Sequence, residues 1–279
     1  MKKTKKKYSR PKRTVRQDGK LIIIGGAEDK TGRGQIIEHV VDNAGSGCLT
    51  VVTAASSIPD EMWDVYNKLF RKLGIKNLAH LHVEQPADAH RPEVLATLEG
   101  STAVFFTGGD QLKITTKLGG TPVAAKIKDI YFNGGLLAGT SAGASVMGET
   151  MLVGGENTES HKVGNWMMAP GLRFVKNMLI DQHFAQRGRI GRLLGAVALN
   201  PGVLGIGIDE NTAIVVQGHM FSVLGENAVY VVDGTHVTYT NISEASADKT
   251  MSMHGVRLHI LTQHEKFDIF SREPCPVKS

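Results

Sequence analysis

Leu136-Leu137-Ala138-Gly139-Thr140-Ser141-Ala142-Gly143-Ala144-Ser145-Val146-Met147-Gly148-Glu149 is the stretch that decides the fold class of this 279-residue chain. Leu136 to Ala138 read as a short buried strand. Gly139 to Gly143 make a tight Gly-x-Ser-x-Gly turn, and a helical pattern runs from Ala142 to Glu149. Strand, turn and helix in that order is the setting in which the pattern lifts a serine hydroxyl above the edge of a sheet. The reason is steric. So tight a turn strains the serine backbone and needs small neighbours around it, which Ala142, Gly143 and Ala144 provide. The free N–H groups where the helix starts favour negative charge developing beside the hydroxyl.

The same alternation extends to either side. Strand patterns at Leu21 to Ile24, Leu49 to Thr53, Leu78 to Val83 and Ala103 to Phe106 are separated by helix patterns at 34–43, 59–73 and 93–99, with another helix at 122–131. Apolar strands alternating with helices predict an α/β fold with a mostly parallel sheet flanked by helices. From Leu204 the texture changes to short strands and tight turns (205–208, 213–216, 220–224, 229–232), which predict an antiparallel C-terminal extension of that sheet. No composition break separates a second unit, so residues 21–279 are expected to form a single α/β catalytic domain.

Composition excludes several classes. The chain is 41% hydrophobic and 21% charged, enough to bury a core, and its apolar runs are far too short for a membrane span. Cys48 and Cys275 allow no disulfide framework, and no secretory leader is visible, so a cytoplasmic location is expected. The net charge of +5 is unevenly distributed: residues 1–20 hold ten Lys or Arg and one acid, while the rest of the chain carries −4. That basic tail is expected to be disordered and solubilising, with weak contact to nucleic acid as its alternative use. No metal site is expected, because His80, His82 and His90 lack a fixed ligand spacing. Neither Gly25-Gly26-Ala27 nor Gly108-Gly109-Asp110 completes a phosphate-binding loop.

A serine nucleophile needs a base and a group to orient it. Met178-Leu179-Ile180-Asp181-Gln182-His183-Phe184 offers His183 in an apolar stretch broken by three polar residues. Three acids compete to orient it: Glu210 and Asp209, after the strand 205–208, and Asp181, two residues from His183. Backbone N–H groups of Ala142 and of the turn Gly108-Gly109-Asp110, at Gly109 and Asp110, are candidate oxyanion donors. Arg187, Arg189 and Arg192 follow His183 closely, and guanidinium groups match carboxylate geometry with paired hydrogen bonds, so the cleft is expected to recognise carboxylates.

Five blocks in order then carry a resemblance: Gly25 to Lys30, Phe105 to Gln111, Gly139 to Ala144, Asp181 to Phe184 and Gly207 to Asn211. From about Leu21 to Val232 the chain resembles the cyanophycinases, in the serine peptidase family that also contains the aspartyl dipeptidases. The resemblance implies a glutamine-amidotransferase-like α/β fold and a homodimer. It also implies hydrolysis of cyanophycin, a poly-aspartate backbone bearing arginine side groups, to β-aspartyl-arginine dipeptides, with no cofactor. By position it makes Ser141 the nucleophile, His183 the base and Glu210 its orienting carboxylate. Gln111, Asp181, Gln182, Arg187, Arg189 and Arg192 fall at substrate-binding positions. Two rival readings remain: an aspartyl dipeptidase acting on small peptides, and a protein that binds anionic polymers through the basic tail.

Overall fold

Residues 20–24, Lys-Leu-Ile-Ile-Ile, set the architecture. Leu21 to Ile24 are all fully buried. Leu21 and Ile23 join one core cluster while Ile22 and Ile24 join another. Because side chains alternate across a strand, such a segment belongs inside a sheet covered on both faces. The computed structural model describes residues 18–31, 34–154, 166–246 and 249–276.

Strand β1 (Lys20–Ile24) lies among β2 (Cys48–Val52), β3 (Leu78–Leu81), β4 (Ser101–Phe106) and β5 (Leu136–Thr140). All four pairings in the spatial order β3-β2-β4-β5-β1 are parallel. The chain then builds a second sheet from β6 (Thr150–Gly154), β7 (Met167–Pro170), β8 (Met178–Gln182) and β9 (Leu204–Ile208), with β6, β8 and β9 parallel. Next, β10 (Thr212–Gln217) and β11 (Met220–Gly225) return to the first sheet and run antiparallel beside β1. β12 (Val229–Asp233) pairs with β9, and β13 (Tyr239–Thr240) pairs with β14 (Met253–His254) apart from both sheets. β15 (Arg257–Leu261) joins β12, while β16 (Lys266–Asp268) and β17 (Glu273–Pro274) extend the first sheet beyond β11.

Helices α1 (Gln35–Asn43) and α2 (Pro59–Lys72) cover one face of the first sheet, placing Ile36, Ile37, Val40, Tyr66 and Phe70 in the cluster of Ile22 and Ile24. Each such buried side chain contributes about 1.5–3 kcal/mol. The short α3 (Pro92–Ala96) lies between β3 and β4. α4 (Gln111–Leu118) and α5 (Pro122–Phe132) bury Ile114, Leu118, Val123 and Ile127 in the cluster of Leu21 and Ile23. That cluster also holds Met178, Ile180, Ile206 and Val231, so the two sheets share one core. After the four-residue α6 (Ala142–Ser145), helix α7 (Ile190–Leu199) covers the far side of the second sheet with Leu193, Ala196 and Val197 against Leu179 and Val232. Among the described residues no helix is long and apolar enough to cross a membrane.

The predicted α/β class, the mostly parallel core and the antiparallel C-terminal strands are all present. Three details differ. First, the helix expected to reach Glu149 stops at Ser145. The carbonyls that follow it, those of Val146, Met147 and Gly148, accept from Leu172, Phe174, Val175 and Arg173, so tertiary partners satisfy the end of the turn. Second, the segments 205–208 and 229–232 lie in a second sheet rather than extending the first. Third, α4 and α7 are absent from the sequence expectation, and most residues of α7 are buried. Residues 1–17 of the basic tail lie outside the described residues. The strand begins at Lys20, with Gly19 N–H already bonded to Tyr131 O at 2.8 Å.

Candidate active site

Three successive carbonyls at the end of β1 organise the site. Ile24 O accepts from Ser141 N at 3.0 Å, Gly25 O from His183 N at 2.8 Å, and Gly26 O from Asn211 N, next to Glu210, at 2.9 Å. One short turn thus holds the loops that leave β5, β8 and β9. Its glycines are required by close approach. A Cβ on Gly26, whose φ is +104°, would stand 2.3 Å from the His183 ring. At the serine turn, a Cβ on Gly143 would stand 2.4 Å from Phe106 O. Ser141, His183 and Asn211 all have positive φ (54°, 48° and 49°) without being glycine. Such strain costs about 1–3 kcal/mol per residue, persists only where the surroundings over-determine it, and concentrates at functional sites.

Ser141 Oγ lies 2.9 Å from His183 Nε2, and His183 Nδ1 lies 2.6 Å from Glu210 Oε1. An ionised carboxylate can only accept, so Nδ1 carries the proton and Nε2 presents its lone pair to the serine hydroxyl. Burial holds the imidazole below its ordinary pKa range. The Glu210 hydrogen bond opposes that shift, and the positive charges of Arg187 and Arg189 reinforce it. A neutral imidazole at pH 7 is the state a general base needs.

The other two candidate acids answer to different partners. Asp209 accepts from the backbone N–H groups of Ala185 at 2.8 Å and Ala228 at 3.2 Å, which ties three loops together. Asp181 accepts from Arg192 Nε at 2.6 Å and from Arg192 Nη2, from Arg189 Nη1 at 3.2 Å, and from Gln182 N at 2.9 Å. Arg189 and Arg192, expected to clamp carboxylates of a ligand, are buried and engaged with Asp181. They sit at the N-terminus of α7, where the helix dipole disfavours cations and a buried acid compensates. Arg187 is exposed, and its side chain makes no hydrogen bond or ion pair among the described residues. Gln182 Oε1 and Arg189 Nε are buried without a partner in the same set, and Gln111 Nε2 donates to Leu152 O at 2.9 Å.

Of the expected oxyanion donors, Asp110 is corrected. Its N–H is bonded to Ala55 O at 3.0 Å, and its carboxylate caps α4 by accepting from Leu112 N at 2.8 Å. The N–H groups of Gly109 and Ala142 make no hydrogen bond among the described residues. Gly108 flanks the serine: a Cβ there would come within 3.4 Å of Ser141 Cβ. Of the histidines weighed as metal ligands, His80 is engaged elsewhere, its Nε2 meeting Thr53 Oγ1 at 2.8 Å and its ring stacking on Trp63.

A serine hydroxyl facing a neutral imidazole, in turn held by a carboxylate, belongs to acyl-transfer chemistry. The sequence profile of peptidase family S51 matches residues 21–224. The chain belongs to peptidase family S51. It is therefore a hydrolase of the serine peptidases. Cyanophycinases of Trichormus variabilis (strain ATCC 29413 / PCC 7937) and Nostoc sp. (strain PCC 7120 / SAG 25.82 / UTEX 2576) are each 38% identical over 261 residues, covering 92% of this chain and 88% of theirs. The cyanophycinase of Geminocystis herdmanii (strain PCC 6308) is 36% identical over 258 residues, covering 91% and 95%. The crystal structure of a peptidase from an acI-B1 Actinobacterium has a similar fold, with a TM-score of 0.70 at 22% identity over 91% of this chain and 98% of that one.

Sequence reasoning missed two contributors. Gly26 stands out in the sequence only as part of a motif, and nothing local signals that its missing Cβ makes room for a ring 157 positions later in the chain. Glu28, in the same block, received no role, although it is one of the few buried acids. An acid just after the glycine turn that ends a wholly apolar strand is the signal that could have found it.

Proposed function

We propose that this chain hydrolyses cyanophycin to β-aspartyl-arginine dipeptides through an acyl-enzyme on Ser141. The observation that carries the chemistry is the hydrogen-bonded series Ser141–His183–Glu210, at 2.9 and 2.6 Å. The substrate rests on identity of 36–38% to cyanophycinases over about nine-tenths of the chain.

In this reading His183 Nε2 takes the hydroxyl proton as Ser141 Oγ attacks a backbone carbonyl of the polymer. Glu210 holds the ring and stabilises the imidazolium. The N–H groups of Gly109 and Ala142 receive the developing oxyanion, and their lack of other partners among the described residues supports that assignment. The imidazolium then protonates the leaving amine, and a water, activated by the same ring, hydrolyses the ester. Each unit of the polymer presents an arginine carboxylate and guanidinium. Exposed Arg187 suits the former, while the amide groups of Gln111 and Gln182 can meet either. The reading requires no cofactor. It treats residues 21–279 as one catalytic domain working as a homodimer in the cytoplasm.

The test is incubation of the purified protein with insoluble cyanophycin and mass spectrometry of the soluble products. β-Aspartyl-arginine should accumulate, and Ser141→Ala should lower turnover by about 10⁵- to 10⁶-fold without loss of fold. Cleavage of small aspartyl peptides with the polymer untouched would instead move the chain to the dipeptidase branch. Release of the dipeptide by Ser141→Ala at the wild-type rate would sink the assignment of the nucleophile.

A further inference from the structure

We propose that Glu28 is a positioning residue that sets the Ser141 hydroxyl through Thr140, an inference that rests on Ser141 being the nucleophile. Glu28 leaves the same turn that holds His183, two residues after Gly26, and its side chain is 1% exposed. A carboxylate removed from water is stable only where donors surround it. Three do: Tyr66 Oη at 2.6 Å, Thr140 Oγ1 at 2.5 Å and Lys30 Nζ at 2.9 Å. Tyr66 is itself fixed in the core, packed against Phe70 and Phe105 with ring centroids 5.9 and 4.7 Å away. Glu28 therefore links a rigid aromatic cluster to the residue immediately before the nucleophile.

The need for such a link follows from the Ser141 backbone. Its φ of +54° and ψ of −112° lie outside the regions that an L residue occupies without strain, so it relaxes unless both sides are held. Downstream, Ser141 O accepts from the N–H groups of Ala144 and Ser145 at 3.0 and 3.1 Å. Upstream, Ser141 N donates to Ile24 O, and the Thr140 hydroxyl donates to Glu28. The Glu28 bond is the upstream restraint made by side chains. Because the turn that carries Glu28 also seats the His183 ring against Gly26, a shift of Glu28 changes the distance between hydroxyl and imidazole. Misplacement of a reacting group by about 1 Å costs on the order of 100-fold in rate.

The experiment uses a fluorophosphonate, which reports the serine hydroxyl directly and does not depend on the natural substrate. Rate constants for labelling would be measured for the full chain and for Thr140→Val, Thr140→Ser and Glu28→Gln, at a temperature where thermal unfolding shows each to be folded. Thr140→Val, which keeps shape and loses the donor, should label about 10- to 100-fold more slowly. Thr140→Ser should return the rate to within about threefold of wild type, since the hydroxyl is restored. Glu28→Gln should slow labelling too, and combining it with Thr140→Val should add little, as expected for two residues acting through one bond. A purely structural role would lower the unfolding temperature and leave labelling unchanged. A folded Thr140→Val that labels at the wild-type rate, or a Thr140→Ser that fails to recover, would overturn the proposal. Should Glu28→Gln not fold, the two Thr140 variants decide alone. A wild-type protein that labels yet releases no β-aspartyl-arginine would sink the substrate assignment and leave the Glu28 result readable.

Discussion

Glu210 and Asp181 both lie beside the His183 segment, yet their side chains are 36% and 1% exposed and serve different partners. Glu210 sits in the loop after β9 and reaches His183 Nδ1 from the open side of the site. Asp181 sits two residues before His183 at the end of β8 and points away from the ring, into two buried guanidinium groups. The acid nearer in sequence is the one that does not touch the imidazole. Nearness along a strand places side chains on a common face but does not aim them at one another. His183 leaves that face because its own φ is positive, turning its ring toward Ser141 while Asp181 stays under the second sheet. Holding the His183 ring and bracing the segment that carries it thus fall to separate carboxylates.

The comparison breaks most visibly at Glu210. Glu210→Gln should lower kcat by about 10⁴-fold, because a neutral amide no longer enforces the tautomer with a free Nε2. Its unfolding temperature should change little, since the side chain is partly solvated. Steady-state kinetics with calorimetry checks both, and a strong loss of stability would mean that the two acids share one role. Asp181→Asn should do the reverse, destabilising the fold by about 3–5 kcal/mol by leaving Arg189 and Arg192 buried around a neutral group. Urea denaturation measures this. Unchanged stability with a raised KM would instead make Asp181 a ligand of the substrate.

A smaller effect is expected at the turn on which both loops rest. Gly26→Ala forces a Cβ against the His183 ring, so kcat should fall on the order of 100-fold while KM holds. Equal kcat would mean that the ring has room to yield. The smallest effect concerns pH. Because burial lowers the His183 pKa, kcat/KM should rise with pH through a value below the ordinary imidazole range and stay high at neutrality. Arg187 contributes to that depression, so Arg187→Gln should move the acid limb toward higher pH. A limb that moves the opposite way would exclude the guanidinium as a through-space influence on the base.

The legible parts of the molecule share a physical basis. β1, β4 and β5 were read correctly because strands buried on both faces need unbroken apolar runs, and the turns between them need glycine. The serine turn was legible because it compresses strand, small residues and helix start into a few consecutive positions. What escaped detection was set by distant partners. The helix after Ser141 stops at Ser145, residues 172–175 engage the carbonyls that follow it, and most of α7 is buried against the second sheet. The arginines looked like a free cationic clamp because spacing shows that Arg189 and Arg192 are neighbours, not that an acid eleven positions from Arg192 engages both.

From the sequence alone came the α/β class, the strand order of apolar runs along the chain and the set of residues from which a serine hydrolase site is built. Burial and turn formation depend on side chains a few positions apart, so they are written locally. Tertiary structure alone decided which acid faces His183, that the Asp110 N–H meets Ala55 O, that two arginines engage Asp181 and that Glu28 meets Thr140. The contacts concerned span 42 residues for Ser141–His183, 27 for His183–Glu210 and 112 for Glu28–Thr140. Hydrogen bonds are short and directional, so these pairings exist only once the two sheets have brought the ends of β1, β5, β8 and β9 to one place.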